Sequence, residues 1–439
     1  MSALDDVLAF LACLAAEAEA YKYFKQSTAA GWTTDEHTTP KLEGFHPTSK
    51  HDGKLRAFLW AHGLLSILFI WGRIAADGTL TLLQEATASK SYQLSGSETA
   101  LAQSFVGVPF VDQSLRSLII LFWGAVDGSS PATTAAAIYF AGQIYPMATA
   151  MYLDGLRAGN GPGVVKVSLW FELIGLAAIG CVGSLWGALY TASSPTTAPA
   201  VTRDGLRAAS LVAEPRTAAL LLPAMLASYV GPLLLMASPS APAVQWAIVA
   251  WNLFPVGIVV IVKAGSALLN TLFPLGQTSA VSPQQGKATA TATARSLQQA
   301  HMSVVRWLGV TSVAFGLAVH VAVGAVSLSS VVFPGLFRDE HTRALHPWTL
   351  FVPPLALKEA SVVSDGLLGF IKWDQAFGYS VVIVVYLAQL RNAAAQASGM
   401  GGYSWLRLVI LSALSCLLIG PGTTIMAISW LRDEVLYSS

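Results

Sequence analysis

The stretch Val304–Phe333, VVRWLGVTSVAFGLAVHVAVGAVSLSSVVF, decides the architecture. Arg306 and His320 are its only ionisable side chains. A helix of that length and polarity crosses the ~30 Å hydrocarbon core of a bilayer. Comparable runs recur at Leu55–Trp71, Ser104–Gly124, Ala132–Leu153, Val167–Thr191, Thr217–Ala237, Val244–Leu272, Phe377–Leu390 and Trp405–Trp430. Arg56 and Arg73 flank the first as snorkelling anchors. Lipid-exposed backbone must satisfy its own hydrogen bonds, so these runs are read as helices. The expected fold is all-α, a polytopic transmembrane helical bundle of about 8–9 spans.

Composition agrees. Of 439 residues, 54% are hydrophobic and only 11% charged, less than half the charge of a soluble domain. The formal net charge of +1 gives no basic field for nucleic acid. Cys13, Cys181 and Cys416 lie apart in apolar stretches, and the histidines have no ligand spacing, so no metal is implied. Neither a P-loop nor a dinucleotide fingerprint is present, so no cofactor is expected. The spans carry no paired aspartate-rich motif of the kind that binds a prenyl diphosphate through Mg²⁺, which argues against a prenyltransferase. No internal repeat suggests a secondary transporter.

Four regions are expected. Residues 1–54 hold an interfacial helix around Val7–Ala16 and a polar segment; Asp5 and Asp6 precede that run where a leader would be basic. Residues 55–275 form a first helical group. Residues 276–303 form a low-complexity polar loop, and 304–439 a second group. The segment from Arg338 to Asp374 contains the proline-rich patch HPWTLFVPPLAL, too short to cross and read as re-entrant or interfacial.

In a chain so poor in charge, acids within apolar segments are the informative residues, because a carboxylate at membrane depth must neutralise, pair or face a polar cavity. Glu172 lies in SLWFELIGLAAIG, Asp112 in VPFVDQSL, Asp127 in WGAVDG and Asp374 in FIKWDQAFG. Asp154 and Arg157, in MYLDGLRAGN, share a helical face at i, i+3 and are spaced to pair. The alternatives are plain: Asp112, Asp127 and Asp374 sit where a carboxylate caps a helix or touches headgroups. Asp154–Arg157 reads equally as a structural pair.

Five motifs then occur in order: VPFVDQSL with VDG (Val108–Gly128), DGLRAGN (Asp154–Asn160), LPAMLASYVGP…WAIVAWNLFPV (Leu222–Val256), FIKWDQAFGY (Phe370–Tyr379) and GPGTTIMAISWLRDEVL (Gly420–Leu436). The series resembles the large integral-membrane terpene cyclases of fungal meroterpenoid biosynthesis, the macrophorin and ascofuranone type, from Val108 onward. The resemblance implies cyclisation of a prenylated, polyketide-derived substrate in a membrane such as the endoplasmic reticulum, begun by protonating a terminal epoxide or alkene. Asp112, Asp374 and Glu172 would then be acid candidates, with Asp127 and Asp154 supporting and Arg157 orienting. Two rivals stand beside it: a small-molecule exporter whose acids couple protons, and a non-catalytic membrane scaffold. A closed, aromatic-lined chamber at membrane depth holding two or more of these acids would favour the cyclase, and a pathway open to both aqueous sides the exporter.

Overall fold

A computed structural model describes residues 53–89, 91–160, 163–198, 202–273, 286–398 and 403–437. The expected helix at Val7–Ala16 lies outside them. In chain order the helices are α1 (Gly53–Ala76), α2 (Thr79–Ala88), α3 (Pro109–Val126), α4 (Pro131–Gly155), α5 (Gly163–Ala177) and α6 (Ile179–Ser193). They continue with α7 (Arg203–Ser210), α8 (Pro215–Leu235), α9 (Ala241–Asn252), α10 (Phe254–Leu272) and α11 (Gly286–Val332). The last five are α12 (Asp339–Leu345), α13 (Pro347–Phe351), α14 (Val363–Ser398), α15 (Trp405–Ile419) and α16 (Pro421–Tyr437). No strand occurs among the described residues, only isolated bridges at Gln93–Ala100 and Arg157–Val212. The chain is an all-α bundle.

Five described helices are long and apolar enough to cross a membrane: α1, α8, α10, Arg295–Val332 of α11 and Val363–Gln396 of α14. The sequence reading expects about nine, and part of the difference has local causes. The run Val167–Thr191 breaks at Ala178 into α5 and α6, Val244–Leu272 breaks at Leu253, and Trp405–Trp430 breaks at Gly420. The short span expected at Phe377–Leu390 is the middle of α14. Residues 276–303 are not all loop: α11 begins at Gly286, because KATATATARSLQQA contains no Gly or Pro and sets the good helix formers Ala, Lys, Arg, Leu and Gln among its threonines. Asp374 consequently lies well inside α14 and not at the start of a span.

The core gathers around α4, which is buried without interruption from Tyr139 to Asp154. It packs against α11, α14 and α16, while α14 also packs along α6 and α16. Pro146 lacks an N–H, so the helix ladder is interrupted in mid-course. Just upstream, the Phe140 and Ala141 carbonyls accept the hydroxyls of Tyr379 (2.9 Å) and Tyr229 (2.7 Å). The outer faces carry large apolar side chains such as Leu328, Leu406 and Leu417, each more than half exposed. Such surfaces belong in hydrocarbon, and the chain is an integral membrane protein.

Two helix breaks share one backbone form. Ala178 (φ 75°, ψ 150°) divides α5 from α6, and Gly420 (φ 90°, ψ 154°) divides α15 from α16. Each break frees amides at the start of the second helix. A neighbouring helix supplies the acceptor in both cases. Asp374 Oδ1 takes the Gly180 N–H at 2.7 Å, and Gln143 Oε1 takes the N–H groups of Gly422 (3.1 Å) and Thr423 (3.2 Å). Glycine suits this region and alanine is strained in it. Ala178→Gly should therefore raise the thermal midpoint in detergent. Gly420→Ala should lower it, by about 1–3 kcal/mol for the strain alone, with a further clash because its Cβ would lie 2.5 Å from Gln143 Oε1. Shifts of the same sign would refute the shared geometry.

Candidate active site

The break at Ala178 brings a carboxyl to a cavity. Asp374, 2% exposed, lies on α14 beside the first turn of α6. On the other side of the break the Ala177 carbonyl accepts the Trp71 indole N–H at 3.1 Å. Trp71 and Asp374 both line a cavity of about 280 Å³. The remaining wall is mostly aromatic and aliphatic, including Phe122, Phe140, Phe171, Trp251 and Phe254. These rings hold one another in place: Phe171 lies 5.5 Å from both Tyr152 and Phe254, and Phe122 lies 5.7 Å from Trp251. Aromatic faces attract cations, and a carboxyl among them can exchange a proton with a bound apolar molecule.

Asp154 and Arg157 form part of a second, separate cluster. Asp154 closes α4 and pairs with Arg157 at 2.7 Å. Arg157 binds Asp433 of α16 through both terminal nitrogens, at 3.1 and 2.7 Å. Arg432 returns to Asp154 at 3.1 Å and to Asp433 at 3.2 Å. Tyr190 donates to Asp154, Arg432 donates to Gln389, and Arg157 also donates to the Ser210 carbonyl. All four charged side chains are buried, and their charges cancel. The cluster ties α4, α6, α14 and α16 together, and none of the four lines the Asp374 cavity.

The other acids are placed differently again. Asp112 accepts from Ser104 Oγ (2.7 Å) and from the N–H groups of Phe105 (2.9 Å), Val106 (2.8 Å) and Gly107 (3.1 Å). It staples the loop preceding α3, with both oxygens engaged. Asp127 accepts from the amide and hydroxyl of Ser129 (2.8 and 2.7 Å), closing the turn after α3. Glu172 is half-buried on α5, between the cavity-lining Phe171 and Ile174, and its Oε1 is buried with no hydrogen-bond partner. The structure thus brings one named acid, Asp374, to the cavity wall, where the sequence reading asks for two or more; Glu172 sits on a wall helix without lining the cavity. Asp112, Asp127 and Asp154 lie elsewhere.

Arg432, Asp433, Gln389 and Tyr190 are the polar residues that the sequence reading passes over. Arg432 and Asp433 were legible as a charged pair inside GPGTTIMAISWLRDEVL, but nothing in the sequence shows that they meet Asp154 and Arg157. Of the tryptophans and tyrosines in or near the spans, Trp71 and Trp251 line the cavity. Trp373, beside Asp374 in sequence, instead packs at a tilt against Phe69, ring centres 4.6 Å apart, and donates to the Pro354 carbonyl. Among the described residues no three His, Cys, Asp or Glu side chains gather into a potential metal site.

Residues 55–437 match the CtvD domain family. Terpene cyclase ascI of Acremonium egyptiacum is 24% identical over 378 residues, 83% of this chain and 88% of that protein. Terpene cyclase penA of Penicillium crustosum is 25% identical over 364 residues, covering 81% and 89%. Terpene cyclase ctvD of Aspergillus terreus is 27% identical over 141 residues, 31% and 40% of the two chains. No solved structure matches.

Removing one member of a buried charge cluster leaves an uncompensated charge, at a cost of about 3–5 kcal/mol. Arg432→Met and Asp433→Asn should each sharply reduce the yield of folded protein in detergent size-exclusion chromatography. Arg157→Lys should not rescue, since a point charge cannot reproduce the two-pronged contact. Wild-type yield and thermal midpoint in all three would show that the cluster does not hold the fold.

Proposed function

The chain belongs to the CtvD domain family, and on that premise we propose that it is a membrane-bound terpene cyclase acting on a prenylated, polyketide-derived substrate. The observation that carries the reading is one buried carboxyl, Asp374, on the wall of an aromatic cavity. The named activity of the relatives supports the reaction class. An endoplasmic-reticulum location fits the same reading.

Asp374 gives its proton to the terminal epoxide oxygen or alkene carbon of the prenyl chain. Internal double bonds then attack the developing cation in turn, each forming a C–C bond and passing the charge along. Loss of a proton, or capture by a hydroxyl of the same molecule, ends the sequence, so the product is an isomer of the substrate. The Gly180 N–H and the positive end of α6 receive the negative charge left on Asp374. The rings of Phe140, Phe171 and Trp251 stabilise the moving cation through their π faces. Apolar walls keep out water that would quench it. Glu172, with one oxygen unpartnered on the adjoining face of α5, is our candidate for the group that takes the final proton.

An exporter would need a path open to both aqueous sides, and a scaffold would need no acid in an aromatic cavity. Microsomes containing the protein, supplied with prenylated phenols and their terminal epoxides, should yield a cyclised product of unchanged mass. Asp374→Asn should reduce turnover by about 10²–10⁴-fold at wild-type protein level. Retained turnover would remove Asp374 from the role of acid. Phe171→Leu should slow cyclisation by about tenfold or divert it to partly cyclised products, the loss of one cation–π contact. An unchanged product profile would separate Phe171 from the cation.

A further inference from the structure

Building on the cyclase reading, we propose that the prenyl chain enters the cavity sideways from the bilayer, through a mouth between α3 and α5, and that the missing side chain at Gly175 sets its width. These two helices flank the cavity but make no extended contact with each other. On α3, the half-buried Ser114, Ser117, Leu118 and Leu121 recur at helical spacing and line the cavity. On α5, Gly175 and Leu176 line it and are also exposed outward, Leu176 at 64%. A residue that faces both inward and outward marks an opening. The opening lies at membrane depth, since α5 packs on the apolar span α10 and its outer leucines, Leu169 among them, are exposed.

Gly175 has no structural reason to be glycine. Its φ is not positive, it sits within α5, and a Cβ built there meets no atom within 4 Å. Alanine would favour the helix by about 1 kcal/mol. The cost of glycine is offset if the vacant volume is used by a ligand. A side chain added here projects into open space, where it obstructs a passing chain without straining the fold. An isoprenoid fits such a mouth: it partitions into lipid, it is slender, and the apolar lining asks nothing polar of it.

The test is occupancy, not turnover. The full chain is reconstituted in phosphatidylcholine vesicles with a farnesyl-phenol photoprobe carrying a diazirine, and cross-linked peptides containing Phe122 or Asp374 are quantified. Gly175→Trp should lower labelling by about tenfold or more, with the thermal midpoint preserved. Gly175→Leu provides a milder plug should the tryptophan variant fold poorly. Gly175→Ala and Leu169→Trp, the latter on the same helix but outside the cavity lining, should label like wild type. Wild-type labelling in the folded plug variants, or equal loss in Leu169→Trp, overturns the proposed mouth. The cyclase reading is judged separately: a blocked probe with no cyclised product from wild type would leave the mouth standing and remove the cyclase.

Discussion

An amide buried in hydrocarbon must find an acceptor, and the site depends on how this chain meets that demand at Ala178. The break there frees backbone groups in a buried, apolar surrounding, where each unsatisfied group costs several kcal/mol. Trp71 satisfies the Ala177 carbonyl and Asp374 the Gly180 amide. The same contacts set an indole and a carboxyl on one cavity wall. Backbone satisfaction and the placing of a reactive group are thus one arrangement. The strained, non-glycine residue at the break is consistent with strain held in place by its surroundings.

The buried cluster of Asp154, Arg157, Arg432 and Asp433 answers a related demand by other means. Each charge meets an opposite charge, and hydrogen bonds from Tyr190 and Gln389 reinforce the pairing. Both the end of α4 and the last turns of α16 are fixed by it. Between this cluster and the break at Gly420, α16 is tied to α4 at both ends, with Gln143 accepting from its first amides. The rigid pillar of α4 in turn presents Phe140 and Ile144 to the cavity.

Much of this was legible beforehand, unevenly. The apolar runs announced helices, and the scarcity of charge announced lipid. Asp374 stood out as an acid in an apolar segment, though its place within α14 did not, because the apolar run begins only at Phe377 while the helix begins at Val363. Asp154 and Arg157 were readable as a pair from their spacing. Their partners Arg432 and Asp433 were not, being far away in sequence with no local periodicity linking them. Asp112 looked like an acid in a span, whereas four donors from its own preceding loop occupy it. The aromatic residues gave no sign of which would face inward, since nearly every face of such helices is apolar.

The amino-acid sequence by itself determined that this protein lives in a membrane as a helical bundle, and which few residues are out of place there. Those follow from side-chain polarity and run length, which are local properties. Tertiary structure alone decided that Asp374 meets a cavity, that Asp154 and Arg157 join a closed charge cluster, and that Gly175 stands at an opening. Each of these depends on which helix lies opposite. A sequence that is apolar on nearly every helical face does not encode that choice locally.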